Sequence, residues 1–344
     1  MPQRNELILG NCIEIMRSMP DKSVDLVFGS PPYESQRTYG IGFNLKGQDW
    51  VDWMVEVYRE SSRICRGLVA FVVAGHTKNF KWSATPALLM ADLHRAGFNL
   101  RKPLMYKRFG IPGSGSVDWM RSDYEFVICV APLGRLNWSD NKAMGHSPKW
   151  GPGGECSHRI KDGTRVNQWG HIGKGQKESG NRRADGTRET MDRPSHQWAD
   201  KDSTPIAIAN PGDVIDCGAL GGGHLGSKLA HENEAPFSEK VAEFFIRSFC
   251  PPGGIVLDCF CGSGTVPAVA IKTGRNYIGI DIRQSQIELG TRRIEEARQW
   301  VIQNKQKPPS ESLTPAIREN TGNSSTFAPP LASADSKLPD SVTS

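Results

Sequence analysis

A strand, a glycine-rich loop and a helix follow one another in the last third of the chain, and this order constrains the fold more than any other stretch. Ile255–Asp258 has the composition of a short buried strand. The loop 259–265 reads Cys-Phe-Cys-Gly-Ser-Gly-Thr, and apolar residues at helical spacing continue to Lys272. A second apolar run, 276–280, ends at Asp281. This unit predicts a parallel sheet of the Rossmann type, in which glycines let the backbone approach a ligand.

The spacing of the glycines indicates which ligand the loop accepts. Phe260, Gly262 and Gly264 form an F-x-G-x-G pattern that lacks the third glycine of the dinucleotide fingerprint and the Lys-Ser/Thr pair of a Walker loop. The early carboxylate of Asp258 suits an ammonium group, and Asp281 suits ribose hydroxyls. We therefore expect a cofactor that carries a charged amino acid and an adenosine. A dehydrogenase is not favoured, because the third glycine and a hydride-transfer residue are not evident.

A second constraint is the tetrapeptide Ser30-Pro31-Pro32-Tyr33, which directly follows the apolar run 24–29. Each proline fixes φ near about −65° and lacks an N–H, so that the loop is rigid and its carbonyls act as acceptors only. Such a loop suits a planar ring that carries an amino group, with the acceptors orienting the NH₂ and Tyr33 stacking on the ring. The alternative is a turn that ends a strand and contains a core tyrosine.

Apolar runs alternate with amphipathic stretches along most of the chain, which is typical of an α/β protein. Strands are predicted at 7–9, 24–29, 68–73, 100–106, 124–130, 255–258 and 276–280, and helices at 13–19, 50–64, 86–97, 237–249, 265–272 and 284–303. Thr85 is predicted to cap the third helix, with Pro86 at its first position. The strand 124–130 is expected at an antiparallel edge or in a hairpin. The predicted fold is a Rossmann-like, doubly wound, mostly parallel sheet with an antiparallel edge hairpin.

The composition changes in the middle of the chain. Between residues 135 and 209 the apolar periodicity is lost, and glycine, tryptophan, lysine and arginine are interleaved. Basic residues mixed with aromatic ones can follow a phosphate backbone and contact bases, so we interpret this stretch as an irregular target-recognition insertion. The alternative is a solvated, partly disordered insertion. His146, Cys156, His158 and His171 lack regular ligand spacing, and no metal site is expected.

Charge and cysteine usage bound the remaining possibilities. The 344 residues carry a formal net charge of +5, which is compatible with a polyanionic partner. Eight scattered cysteines, no apolar leader and no long apolar run predict a cytoplasmic protein with free thiols. The predicted organisation is a catalytic half (1–134), the insertion (135–209), a cofactor-binding half of the same domain (210–303) and a Pro-, Ser- and Thr-rich disordered tail (304–344).

Together, the two motifs resemble those of the amino-group DNA methyltransferases that use S-adenosylmethionine, the N4-cytosine/N6-adenine family, in its beta-type motif order. In that order S-P-P-Y comes first and F-x-G-x-G last. The resemblance covers about residues 5–131 and 210–300, and 256–265 reads V-L-D-C-F-C-G-S-G-T against the family's V-L-D-x-F-x-G-S-G-T. Asn11 stands where the family usually has Asp in G-D-C, and the segment 231–237 keeps only part of H-P-A-x-F-P.

The resemblance implies a set of site residues and a mechanism. The implied catalytic residues are Ser30, Pro31, Pro32 and Tyr33. The implied contacts to S-adenosylmethionine are made by Asn11, Phe237, Asp258, Phe260, Gly262, Ser263, Gly264, Thr265 and Asp281. The target base is flipped out of the duplex and stacks on Tyr33, and its amino group bonds to the Ser30 hydroxyl and the Pro31 carbonyl. In-line methyl transfer follows without a covalent enzyme intermediate.

Several substrates remain open from the sequence. In the resembled family a serine at the position of Ser30 is associated with N4 of cytosine, so cytosine is preferred over N6 of adenine. Methylation at carbon 5 is discarded because the chain has no Pro-Cys dipeptide. Expected partners are double-stranded DNA and, as a further candidate, a cognate restriction endonuclease, in a prokaryotic or phage-encoded restriction-modification system. An RNA or protein methyltransferase and an inactive DNA-binding relative are the alternatives.

Overall fold

The structure is a computed structural model that describes most of the chain outside the central insertion and the tail. The described residues are 2–34, 43–108, 118–146, 208–216, 226–236 and 238–305, with the backbone of two short strands inside the insertion. The chain divides into two units, Met1–Asn304 and Lys305–Ser344, and all elements below belong to the first unit except the last residue of the final helix. Among the described residues, no helix has the length and apolarity that crossing a bilayer requires.

Strands and helices alternate as the apolar pattern predicts. The strands are β1 (Glu6–Leu9), β2 (Val24–Gly29), β3 (Cys65–Val73), β4 (Thr77–Lys78), β5 (Lys81–Trp82), β6 (Leu104–Lys107), β7 (Tyr124–Val130), β8 (Ser157–Arg159), β9 (Arg165–Asn167), β10 (Val214–Asp216), β11 (Ile255–Asp258) and β12 (Asn276–Asp281). The helices are α1 (Cys12–Ser18), α2 (Gly47–Ile64), α3 (Thr85–Arg95), α4 (Glu239–Phe249), α5 (Thr265–Lys272) and α6 (Gln284–Lys305), with a 3₁₀ turn at Lys228–Glu232.

Eight of these strands form one sheet in the order β1-β12-β11-β2-β3-β7-β6-β10. Strand β7 runs antiparallel to both of its neighbours, β3 and β6, whereas the other pairs in this sheet are parallel. The predicted mostly parallel Rossmann-like sheet and its antiparallel hairpin are therefore confirmed. Strand β10 pairs with β6 and takes the outermost position beyond the hairpin.

The chain reverses its direction of progress through the sheet between β2 and β11. From β2 the chain passes to β3 on one side, and from β11 it passes to β12 on the other. In open α/β sheets, the carboxyl ends of strands at such a switch point border the crevice in which ligands bind. The two sequence motifs follow these two strands, so the topology brings them to the same crevice.

Helices cover both faces of the sheet, because successive side chains of a central strand point to opposite sides. Val27 packs on the face covered by α1, α2 and α3, together with the buried Trp50. Leu26 and Phe28 pack on the other face, which is covered by α4, α5 and α6. There the ring of Phe28 stacks on Phe245 of α4 with a centroid distance of 4.4 Å.

Several predicted element boundaries differ from the structure, and two of them have a clear physical reason. Thr85 is the first residue of α3, and the capping position belongs to Ala84, which has a positive φ of 57°. The hydroxyl of Thr85 instead donates to the carboxylate of Glu34 (3.3 Å). Strand β6 begins at Leu104 and not at 100, because Pro103 has no N–H to donate to a ladder.

Candidate active site

The ends of β2 and β11 touch each other directly. Leu257 lies opposite Val27 in the parallel ladder, which places Asp258 beside the last residues of β2. A Cβ atom added to Gly29 would overlap with Oδ1 of Asp258. A larger residue here would displace the carboxylate, whereas glycine lets it lie immediately beside the peptide that leads to Ser30. The two motifs predicted from sequence therefore form one site.

Asp258 is buried, and its carboxylate is only half satisfied. Oδ1 accepts a hydrogen bond from the N–H of Phe260 (3.0 Å), while Oδ2 has no hydrogen-bond partner among the described residues. Burial raises the pKa of Asp258 to about 8; the Phe260 N–H opposes this shift and the nearby Asp281 adds to it. A buried acceptor without a partner is costly, so this oxygen suits a cationic donor from a ligand.

Asp281 organises the glycine-rich loop from the end of β12. Its Oδ2 accepts from the N–H of Gly262 (2.8 Å), and its Oδ1 accepts from the N–H of Arg283 (2.9 Å). Gly262 has a φ of 49°, in the region that favours glycine. The carboxylate therefore holds the loop closed and keeps lone pairs for a ligand hydroxyl.

The hydroxyls of the loop face the protein interior. Arg293 of α6 is only 1% exposed, and its guanidinium donates to Ser263 Oγ (3.1 Å) and Thr265 Oγ1 (2.8 Å). The same guanidinium forms an ion pair with Glu239 (2.9 Å). Gly264 has a φ of 78°, and a Cβ atom there would lie 3.0 Å from Gly290 Cα. Arg293 thus anchors the loop on α6, and the backbone is the part of 263–265 that is left for a ligand.

Asn11 lies at the neighbouring strand end and caps α1. Its Oδ1 accepts from the N–H groups of Ile13 (2.9 Å) and Glu14 (3.4 Å), as expected for an asparagine N-cap. The preceding Gly10 donates its N–H to the carbonyl of Asp281 (2.9 Å), so Asn11 is close to the residue that holds the glycine-rich loop. The predicted contact of Asn11 with S-adenosylmethionine stays a prediction.

Buried side chains fix the loop 30–33 in place. The indole N–H of Trp50 donates to the carbonyl of Pro32 (2.9 Å). The buried Glu34 follows the loop, and its carboxylate accepts from the N–H of Gly47 (2.7 Å) at the start of α2 as well as from Thr85. This bond also explains why α2 begins at Gly47, three residues before the predicted start.

A chain of hydrogen bonds runs from Ser30 through Tyr33 to the buried Glu125. Ser30 Oγ lies 3.2 Å from the Tyr33 hydroxyl and 3.2 Å from the carbonyl oxygen of Val72. The Tyr33 hydroxyl donates to Glu125 Oε2 (3.1 Å), and Glu125 is paired with Arg108. Burial, together with the negative charge of Glu125, raises the pKa of Tyr33 well above its ordinary value of 10, so the phenol keeps its proton.

The direction of these bonds gives Ser30 a defined role. A carboxylate only accepts, so the Tyr33 proton points to Glu125 and the phenol oxygen becomes an acceptor. The phenol oxygen and the Val72 carbonyl both act as acceptors, so the Ser30 hydroxyl is the donor in each hydrogen bond. The lone pairs of Ser30 Oγ are therefore left to accept a hydrogen bond from a ligand.

Aromatic rings line the space beside the glycine-rich loop. Phe260 contacts Trp53 of α2 (centroid distance 5.6 Å) and Phe71 of β3 (5.7 Å). Trp53 in turn packs on Phe43 (5.1 Å). Phe260 is half-buried, so part of its surface is left uncovered by the protein.

Sequence reasoning missed the residues that support the site from a distance. These are Trp50, Arg108, Glu125 and Arg293. Glu125 carried a weak signal, since an acidic residue in an apolar strand needs a partner, whereas the others carried none. Phe237 lies outside the described residues. The insertion 135–209 and the tail 304–344 also lie mostly outside them, and their predicted roles stay predictions.

Comparison with protein families agrees with this geometry. The family model for the N6- and N4-specific DNA methylases matches residues 24–292. The DNA adenine methyltransferase YhdJ of Escherichia coli K12 is 24% identical, over 92% of this chain and 89% of its own. The orphan methyltransferase M.BamHII of Bacillus amyloliquefaciens is 27% identical, over 80% of this chain and 89% of its own.

Solved structures share the fold. The cytosine-N4-specific PvuII DNA methyltransferase superposes with a TM-score of 0.55 at 16% identity, covering 88% of this chain and 94% of its own. TTHA0409 of Thermus thermophilus, complexed with S-adenosyl-L-methionine, gives a TM-score of 0.50 at 18% identity, covering 85% and 95%. With a family model that spans both motifs and the sheet that joins them, this chain belongs to the N6/N4 DNA methylase family.

Proposed function

We propose that this protein transfers a methyl group from S-adenosylmethionine to the exocyclic N4 of cytosine in duplex DNA. The observation that carries the proposal is the contact between Gly29 and Asp258, which joins a loop suited to an amino-bearing ring to a loop suited to a charged nucleoside. Family membership supplies the reaction class, and Ser30 supplies the preference for cytosine.

The residues around Asp258 fit the cofactor. Its unpartnered, buried Oδ2 would accept from the ammonium group of the methionine part. Asp281 would accept from the ribose, and the backbone of 262–265 would contact the nucleoside, with Phe260, Asn11 and Phe237 at its margins. When bound, S-adenosylmethionine supplies an electrophilic methyl group on its sulfonium.

The loop 30–33 would orient the target base. Ser30 Oγ and the Pro31 carbonyl accept from the exocyclic amino group, and the ring of Tyr33 stacks on the flipped base. Two acceptors in fixed positions draw the amino group toward tetrahedral geometry and direct its lone pair away from the ring. Catalysis then consists of positioning and electrostatic stabilisation, and the amino proton leaves after transfer.

N6 of adenine is the second candidate substrate. The Escherichia coli relative, named as an adenine methyltransferase, covers nearly the whole chain and favours this alternative. Both bases present an NH₂ beside a ring acceptor, so the same loop could orient either. We further propose a cytoplasmic protein of prokaryotic or phage origin that acts alone or with a cognate restriction endonuclease, since names of relatives include both an orphan and a type II methyltransferase.

Radiolabelled methyl transfer tests the proposal. Purified protein is incubated with labelled S-adenosylmethionine and chromosomal DNA from a host that lacks the enzyme, with RNA and protein as parallel acceptors. We expect label in DNA, recovered as N4-methylcytosine after digestion to nucleosides. Label in N6-methyladenine would mean that the substrate base is adenine and not cytosine. Label in RNA or protein but not in DNA would refute the proposal.

A further inference from the structure

A small hairpin stands beside the loop 30–33. It consists of β4 and β5 and follows β3 after three residues. At its base, the backbone groups of His76 and Ser83 bond to each other, and Ser83 Oγ lies 3.3 Å from Thr85 Oγ1. Thr85 donates to Glu34, the residue after Tyr33. The hairpin is therefore attached to the proposed active site through two side-chain hydrogen bonds.

The turn of this hairpin has an unusual residue at its tip. Lys78 and Lys81 lie opposite each other, which leaves Asn79 and Phe80 as a two-residue loop. Both loop residues have positive φ, 51° and 59°, as in a type I′ turn. The second position of such a turn normally carries glycine, and a bulky side chain is strained there. Backbone strain of this kind is concentrated at functional sites.

Exposure and charge at the same tip point to a partner. The side chain of Phe80 is 80% exposed. Lys78 and Lys81 are both exposed, and like charges directly opposite each other on two strands are destabilising. Neither ammonium forms an ion pair with a described carboxylate. A partner with anionic groups on either side of an apolar, stackable face would bury the exposed ring and neutralise the two like charges.

Duplex DNA has this chemistry, with phosphates that flank stacked bases. We propose that the β4–β5 hairpin enters the duplex beside the target base, with Phe80 stacking where the flipped base has left and Lys78 and Lys81 binding the adjacent phosphates. The tip is about 10 Å beyond the hairpin base, since three extended residues separate them. This inference rests on the proposed function for its substrate and goes beyond it by naming the element that opens the stack.

Phe80→Ala is the main test, with Leu133→Ala as the matched control. Leu133 is 87% exposed and follows β7, whose antiparallel direction places its end at the opposite edge of the sheet. With labelled S-adenosylmethionine and duplex chromosomal DNA, Phe80→Ala is expected to lower kcat by about tenfold or more, because the vacated stack is no longer filled. Leu133→Ala is expected to match the wild type, and cofactor affinity is expected to be the same in all three proteins.

A second variant separates a role of Phe80 in methyl transfer from a role in folding. Phe80→Gly removes the strained side chain, so we expect the same loss of kcat with a Tm that is unchanged or raised by about 1–2 °C. Loss of kcat together with a lower Tm and weaker cofactor binding in both variants would mean that Phe80 is structural and would overturn the proposal. Activity within twofold of the wild type would also overturn it.

The lysines give an independent measurement. Replacing Lys78 and Lys81 together by Ala is expected to reduce the slope of log affinity against log salt, for a random 30-base-pair duplex, by about two. Lys22→Ala is the control, because Lys22 is exposed at the amino end of β2, away from the crevice. An unchanged slope would contradict the phosphate contacts.

The outcome for the hairpin is distinguishable from the outcome for the proposed function. If the wild type labels no DNA, the methylation proposal fails, and the hairpin is then judged by duplex binding alone. Weaker binding in Phe80→Ala than in Leu133→Ala would still support it. Equal duplex binding, or binding to anionic phosphatidylglycerol vesicles that Phe80→Ala alone abolishes, would overturn it in favour of no contact or of a lipid surface.

Discussion

The two loops that meet at the switch point differ in how completely the protein satisfies their polar groups. In the loop 30–33, which we propose binds the base, Ser30, Tyr33 and Glu125 form a continuous chain of hydrogen bonds. On the proposed cofactor side, Asp258 is buried with one oxygen that has no partner among the described residues. We infer that the loop 30–33 is set before any ligand arrives, whereas the glycine-rich loop is completed by its ligand.

The largest expected effect is the loss of transfer on replacing Ser30. Ser30→Ala removes the proposed acceptor for the amino group, and we expect kcat to fall by about 100-fold or more, as when one preorganised polar contact to a transition state is lost. The dissociation constant of S-adenosylmethionine, measured by calorimetry, is expected to change by less than threefold. A parallel loss of cofactor binding would mean that the loop 30–33 and the glycine-rich loop do not bind their ligands independently.

Asp258→Asn should have the opposite profile. We expect cofactor affinity to fall by about 30-fold or more, because a buried charge contact is lost. The same change should raise Tm, since a buried, half-satisfied carboxylate is replaced by a neutral group of equal size. Asp281→Asn is the matched control and should lower Tm, because Asp281 accepts two backbone N–H bonds. A lower Tm in Asp258→Asn would contradict the expectation that the unpartnered oxygen of Asp258 destabilises the fold.

The pH dependence of that difference follows from the raised pKa. Asp258 has a pKa of about 8 in the folded protein, above its value of about 3.9 in an unfolded chain. Its contribution to stability is present below about pH 4 and is lost as the pH rises through about 8. The Tm advantage of Asp258→Asn over the wild type should therefore grow between pH 5 and pH 8. An advantage that is constant across this range would contradict the shift.

A smaller effect is expected from Glu125, which acts only through Tyr33. Glu125→Gln introduces a group that donates as well as accepts, so the direction of the hydrogen bonds to Ser30 is no longer fixed. We expect kcat to fall by about tenfold with little change in cofactor affinity. In a Tyr33→Phe background, the same substitution should have no further effect on kcat, as a double-mutant cycle would show. Additive losses would exclude the relay.

The smallest effect is expected at Ser263. Its hydroxyl accepts from the buried Arg293 and faces away from the crevice. Ser263→Ala should destabilise the fold by about 1 kcal/mol in chemical denaturation and change cofactor affinity by less than about twofold. A larger loss of affinity would place the hydroxyl on the cofactor, as the sequence resemblance alone implies.

Local patterns predicted the fold well, and contacts between distant residues account for what was missed. The strand-loop-helix unit at 255–272 and the loop 30–33 follow from periodicity, glycine and proline, all of which act over a few residues. The bonds from Trp50 to Pro32, from Tyr33 to Glu125 and from Arg293 to Ser263 span 18, 92 and 30 positions. No local rule encodes such pairs, because they arise only when the sheet is assembled.

The same limit explains the misplaced helix start at α3. A threonine before proline is a good capping signal, and local rules favour it. The tertiary contact of Thr85 with Glu34 uses the hydroxyl elsewhere, and Ala84 adopts the left-handed conformation in its place. Ser263 and Thr265 were likewise predicted to contact the ligand. Their hydroxyls instead accept hydrogen bonds from Arg293, a residue that no motif revealed.

Nucleoside mass spectrometry of DNA from a methylation-free host shows whether the protein modifies a base and whether Ser30 is needed for it. The host expresses either the wild type or Ser30→Ala at equal protein level. We expect N4-methylcytosine in DNA from cells with the wild type and none above background with Ser30→Ala. Methylated nucleosides at equal amounts in both, or none in either, would contradict the convergence of the two loops on a base amino group.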